Sequence, residues 1–176
     1  MIDSNETRPE NRPEIYIDLC SNRAKGRYVF EIRGPHTVAR LAGGFIRNST
    51  RHTLLGFGLA SALRTVSHNA IAKLFMNNKE CQTFGQAMRH PRKVRIRVRC
   101  SDAEFLTMCE QASTGRRNRC ARNLFDELQT QMARFDLSYQ RVDEFDLNKI
   151  KHWGSRVLPE SRDPDGFPLP TTVSTN

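Results

Sequence analysis

The chain has 176 residues, with 28 Lys and Arg against 19 Asp and Glu, a formal net charge of +9 at pH 7 and a sequence pI of about 9.8. That length supports one domain with an ordinary core and excludes a second full one. The charge makes polyanions the leading partner class, ahead of an anionic membrane surface, and no apolar run is long enough to span a bilayer.

The opening stretch MIDSNETRPENRPE is polar and mixed in charge, without the apolar centre of a secretory signal. It predicts a polar arm over residues 1–13 and a soluble, intracellular, cytoplasmic protein with no membrane partner. IYIDLC, Ile15 to Cys20, then reads as a buried strand, and SNRAKG as a turn. In RYVFEIRG, Arg27 to Gly34, Tyr28, Phe30 and Ile32 alternate with Val29, Glu31 and Arg33. After Gly34-Pro35, VARLAGGFIR, Val38 to Arg47, predicts a third strand with a bulge or bend at Gly43-Gly44, completing an antiparallel meander.

RNST, Arg47 to Thr50, offers a cap for the helical period of HTLLGFGLASALRTVSH, in which Leu55, Leu59, Ala62, Leu63 and Val66 share a face. AIAKLFM, Ala70 to Met76, reads as a short buried strand and NNKECQTFGQAM as a short helix. In KVRIRVRC, Lys93 to Cys100, the apolar Val94, Ile96, Val98 and Cys100 face one way and Arg95, Arg97 and Arg99 the other. Ser101 to Glu104 matches the S-x-x-E capping box ahead of a helix burying Phe105, Cys109 and Ala112. Past Gly115, RRNRCARNLFDELQTQMARF predicts a long amphipathic helix that closes a domain over residues 14–135. Residues 136–176, with an acidic patch at Asp143, Glu144 and Asp146 and a Pro-rich end, read as a tail, partly extended or disordered, with Trp153 as an anchor if it folds back.

The five cysteines are scattered and lie within apolar patterns, and the five histidines show no paired spacing. Buried reduced thiols are expected, with no metal site and no cofactor. Charge is distributed unevenly: from Ile32 to Ser101 the only acidic residue is Glu80. A basic region this poor in carboxylates favours a nucleic-acid surface. Arg116, Arg117, Arg119 and Arg122 gather at a helix start, where exposed N–H groups and guanidinium forks suit phosphate. The strand arginines have a rival reading, because charge on an edge strand also prevents aggregation.

The element order and several words in it resemble the ribonuclease H superfamily. IYID is similar to that family's first strand with its metal-binding aspartate, Asp18; RYVFEIRG and ARLAGGFIR to its second and third strands; NSTRHTLL to the turn entering its first helix; and LFMNNKECQTFGQAM to its fourth strand and following helix. The resemblance covers about residues 14 to 135. It implies an α/β fold, a ribonuclease H-like mixed five-stranded sheet of an antiparallel meander plus crossover strands, flanked by helices, with KVRIRVRC at its edge. It also implies two magnesium ions held by convergent acids, of which only Asp18 is in place. Thr53 stands at the first-helix position, Asn77 after the fourth strand, and Ala121 or Arg122 on the final helix, so the resemblance implies a degenerate metal site and no catalytic residue.

The expected function is therefore non-catalytic nucleic-acid binding through Arg47, Arg51, Asn77, Asn78, Arg95, Arg97, Arg99, Arg116, Arg117, Arg119 and Arg122. Single-stranded or structured RNA is the preferred ligand, with DNA or an RNA–DNA hybrid as alternatives. Two rivals stand beside it. One is a metal-dependent ribonuclease in which Glu80, Asp126 or Glu127 joins Asp18. The other is an adaptor docking on a ribonucleoprotein or on a viral or host protein through the C-terminal tail, where FPLP, Phe167 to Pro170, offers an extended recognition segment.

Overall fold

The computed structural model describes residues 14–34, 37–66, 76, 79, 82–88, 93–114, 122–157 and 171–173. Within them β1 (Glu14–Asn22), β2 (Arg27–Gly34) and β3 (Thr37–Phe45) form the expected antiparallel meander. Between β1 and β2 the Asn22 side chain accepts the Lys25 N–H, and Gly26 closes the turn at φ 60°. Only glycine suits that position, since the backbone is left-handed and an added Cβ would lie 2.5 Å from the Ile46 carbonyl oxygen. The Ile46 N–H donates to the Gly26 carbonyl at 2.7 Å, tying this turn to the end of β3.

Helix α1 (Arg51–Thr65) starts where the Thr50 hydroxyl accepts the Thr53 N–H, and it lies across β1 and β2. Its Leu54, Leu55, Leu59 and Leu63 are buried against Ile15, Ile17, Leu19, Tyr28 and Phe30. The Tyr28 hydroxyl reaches Ser61 on the same helix at 3.3 Å, so the ring's polar tip is satisfied inside the core. The strand expected over 70–76 falls outside the described residues except for Met76. Of the short helix beyond it, α2 (Phe84–Met88) is described.

Strand β4 (Arg95–Cys100) alternates as expected, with Ile96, Val98 and Cys100 buried. It feeds α3 (Ala103–Ser113), whose cap is Asp102, not Ser101: the Asp102 carboxylate accepts the Phe105 N–H at 2.9 Å. A carboxylate at N-cap outcompetes a hydroxyl one residue earlier, because it also complements the helix dipole. Helix α4 (Arg122–Met132) is the later part of the predicted long helix, whose first residues lie outside the described set.

That helix does not close the domain. β5 (Asp136–Arg141) follows and pairs in parallel with β4, which in turn pairs in parallel with β1. The RIRVR strand is therefore internal, hydrogen-bonded on both sides, and the edge-protection reading of its arginines is withdrawn. A 3-10 turn (Glu144–Leu147) then leads into α5 (Asn148–Val157). Leu147, Ile150 and Gly154 of this segment meet Val29 on the face away from α1, with Cys20, Leu41, Val142 and Trp153 partly buried around them. Residues 136–157 are thus part of the domain and not a tail, because they bury the second face of the sheet and Trp153 anchors there. A three-residue β6 (Thr171–Val173) pairs antiparallel with β3.

The architecture is α/β, with sheet order β5-β4-β1-β2-β3-β6: the meander and the parallel placing of β4 are as expected, whereas β5 and the short β6 are strands beyond those expected. Helices α1, α3 and α4 share the large core, and among the described residues the 3-10 turn and α5 cover the other face. No helix among the described residues is long and apolar enough to cross a membrane.

Candidate functional site

Alternation along β1 sends Ile15, Ile17 and Leu19 into the core beneath α1 and leaves Tyr16, Asp18 and Cys20 on the opposite face. α5 covers the Cys20 end of that face. Register sets Asp18 between Arg99 on β4 and Glu31 on β2. Arg99 grips the carboxylate with a fork, Nε donating to Oδ1 at 2.6 Å and Nη2 to Oδ2 at 2.7 Å. Arg33 Nη2 donates to the same Oδ2 at 2.6 Å, and its Nε lies 3.5 Å from Glu31 Oε2.

Two carboxylates and two guanidiniums thus form a charge-balanced cluster in which Asp18 is 2% and Glu31 5% exposed. Fork geometry makes such pairs strong and also fixes the strand register. The bond to Asp18 holds the Arg99 proton more firmly than usual, against the opposing effect of burial. Arg99 and Arg97 both lie over the Tyr16 ring, at 5.7 and 5.8 Å from its centroid. Arg95 Nε stands 3.8 Å from Asp136, a long and half-exposed pair.

The three strand arginines therefore divide. Arg99 is committed to Asp18, which corrects its assignment to an external phosphate: the anion its fork meets belongs to the protein. Arg95 and Arg97 line the same face, beside the half-exposed Arg33. Arg51 pairs with Asp102 at 3.0 Å and with Glu144 at 3.7 Å, and His52 Nε2 stands 3.5 Å from Asp102. Arg47 is exposed in the loop before α1. Asn77, Asn78, Arg116, Arg117, Arg119 and Ala121 lie outside the described residues, as does the side chain of Arg122, whose backbone opens α4.

Asp18 and Thr53 are not brought together. Asp18 faces away from α1, whereas the Thr53 hydroxyl is joined to Thr50 at the helix start at 2.9 Å. The parallel neighbour of β1 is β4, and Asp102 follows it as the cap of α3. Asp143, Glu144 and Asp146 lie in the segment that leads into α5, the last described helix. The charge of Asp146 adds weakly to the hold of Asp18 on the Arg99 proton.

Magnesium does not fit Asp18 as it stands, since both its oxygens already accept guanidinium N–H groups. Among the described residues no three His, Cys, Asp or Glu side chains gather where they would hold a metal ion. Sequence reasoning missed Arg33, Glu31 and Tyr16 as members of this face. The signal was present in the alternation of β1 and β2, which sets each of them opposite a buried apolar residue.

No protein-family model and no curated protein matches the chain. Solved structures do. RNase H1 from the halophilic archaeon Halobacterium salinarum superposes with a TM-score of 0.51 at 14% identity, over 85% of this chain and 99% of that one. The N-terminal RNase H domain of a Mycobacterium tuberculosis protein, solved as a fusion with maltose-binding protein, gives 0.51 at 13% identity, over 81% and 91%. The chain has a ribonuclease H-like fold.

Proposed function

We propose that this chain is a non-catalytic nucleic-acid-binding protein, with RNA its preferred ligand, which uses the ribonuclease H-like scaffold to present cations to phosphates. One observation carries the reading: the carboxylate that resembles the family's first metal ligand is occupied on both oxygens by arginine. Divalent ions need that charge uncompensated, and two nearby guanidiniums repel them. The same arginines belong to a face where Arg95, Arg97 and Arg33 supply positive charge beside the Tyr16 ring. The solved ribonuclease H structures agree with a nucleic-acid partner for this fold.

The test is binding of a fluorescent single-stranded RNA over a salt series. Affinity falls linearly with salt on logarithmic axes, and replacing Arg95 and Arg97 by Gln lowers that slope by roughly one to two. Binding indifferent to salt, or unchanged in the folded double variant, rules the face out.

A second reading, a metal-dependent nuclease, draws on the way Arg51 touches both Asp102 and Glu144. In this reading Asp102, at the start of α3, and Glu144, ahead of α5, would take the place of the missing ligands. Incubation with RNA–DNA hybrid and magnesium or manganese separates the readings, with Asp18→Asn as the control for contaminating nuclease. Cleavage that disappears in the variant establishes the second and ends the first.

A further inference from the structure

Strand β5 forms one border of the sheet, and among the described residues it pairs with β4 alone. Its sequence DLSYQR has none of the usual edge protection: no Lys, no Pro and no bulge in its register with β4, and its two charges stand at its ends. None of its residues is buried, although Ile96 and Val98 beside them on β4 are 0% exposed. The direction of its backbone groups follows from two hydrogen bonds. The N–H groups of Asp136 and Val142 donate to the carbonyls of Val94 and Cys100, at 3.0 and 3.1 Å. Successive residues of a strand turn these groups to alternate sides, so Ser138 and Gln140 face β4 likewise, while Leu137, Tyr139 and Arg141 present N–H and C=O to the outer border.

Those three residues are spaced by two, with Tyr139 at the centre. A second copy laid antiparallel about a two-fold axis at Tyr139 sets this residue against its own image, and Leu137 against Arg141. Every outward residue then belongs to a hydrogen-bonded pair that exchanges two bonds. Between these pairs Ser138 falls opposite Gln140. Asp136 comes to the end of the joint where the copy has Arg141, so no like charges are opposed. Leu137 and Tyr139, only half-buried in one chain, cover each other's rims as an aromatic and aliphatic cross-strand cluster.

We propose that β5 is a dimerisation edge, at which two copies of the chain join by antiparallel β5 pairing centred on Tyr139 into one continuous sheet. The partner is a second copy because the outward groups, the apolar rim and the charges of this strand all match their own two-fold image. Such a contact consumes the edge and stops at the dimer. Each copy carries +9, so the two repel at long range and added salt leaves the contact intact or strengthens it, opposite to its effect on phosphate contacts.

The experiment is sedimentation equilibrium of the nuclease-treated full chain from about 1 to 300 μM, in low and in high salt. The expected result is a monomer–dimer equilibrium between 20.2 kDa and twice that mass, preserved in high salt. Arg141→Pro removes one outward N–H from each copy and spares the bonds to β4, so the dissociation constant rises about tenfold or more. Arg141→Gln keeps the N–H and stays within about threefold of the parent, the small effect of an exposed charge. Should Arg141→Pro fail to fold, amide exchange of the parent decides: on raising the concentration the N–H groups of Leu137, Tyr139 and Arg141 slow together, while those of Ser138 and Gln140 are slow throughout. The inference is overturned by a chain that stays monomeric, by assembly that runs past the dimer or dissolves in high salt, or by outward amides whose exchange ignores concentration. It is equally overturned by a folded Arg141→Pro that dimerises as the parent does, or by Arg141→Gln weakening the dimer as much as Arg141→Pro.

Discussion

Arg99 and Asp18, 81 residues apart in sequence, are joined by two hydrogen bonds of 2.6 and 2.7 Å across the parallel pair β1–β4. The bond sits at the centre of the sheet and leaves the carboxylate almost inaccessible. Removing its charge strands two guanidiniums beside the Glu31 carboxylate. Asp18→Asn lowers the free energy of unfolding by about 2 kcal/mol or more, less than a fully buried pair would because both arginines keep some solvent. Urea denaturation measures it. Magnesium up to millimolar concentration leaves the parent's melting temperature unchanged, whereas a rise abolished by Asp18→Asn identifies Asp18 as a metal ligand.

Residues 136–157 are expected to be indispensable for folding. Ending the chain after Phe135 uncovers the whole β4 edge, together with Cys20, Val29 and Leu41 beneath α5. An open strand edge beside an apolar patch invites association. The truncated chain is predicted to aggregate or to lose cooperative unfolding, as followed by light scattering and thermal melting. A soluble, cooperatively folding fragment ending at Phe135 contradicts this account of the second face.

Much of the sheet was legible because β1, β2 and β4 alternate clearly between apolar and polar residues. β5 was not, because DLSYQR turns only Leu137 and Tyr139 inward and reads as one more polar segment. α5 was hidden similarly: Leu147, Ile150 and Trp153 are helically spaced, but the Pro-rich stretch that follows made the region look like a tail. The candidate site was legible only in part. Arginines sharing a face follow from the period of two, whereas which of them meets Asp18 depends on inter-strand register, which no local pattern contains.

Two glycines on helices are predicted to respond in opposite ways. On α5, an added Cβ at Gly154 runs into Val29 Cγ2, so the helix sits directly on β2 only because the side chain is absent. Gly154→Val forces α5 away from the sheet and costs about 1–3 kcal/mol of stability. On α2, Gly85 has nothing within 4 Å of its Cβ position. Gly85→Ala therefore stabilises by about 0.4–1 kcal/mol, chiefly by restricting the unfolded chain. Chemical denaturation of both variants against the parent checks the pair, and a neutral Gly154→Val means α5 does not pack as closely as the sheet suggests.

Alkaline pH is expected to weaken the fold through Cys100. Burial pushes this thiol from its ordinary value of 9.0 up to about 11, opposed in part by the Asp102 N–H that donates to the sulfur. Below pH 9 the thiol is protonated in both states, and its neutral burial contributes fully. Between pH 9 and 11 the unfolded chain releases the proton while the folded one retains it, so the unfolded state gains stability as pH rises. The slope approaches about 1.4 kcal/mol per pH unit, for a loss of about 2–3 kcal/mol across the window from this group. Tyr28 and Tyr139, raised by burial from 10.0, extend the decline above pH 10. Cys100→Ala starts less stable because of the atoms it removes, yet its stability falls more gently from pH 8 to 11. Urea midpoints at intervals across that range decide the matter: parallel curves for parent and variant mean that Cys100 does not titrate late, whereas converging curves carry the signature of its burial.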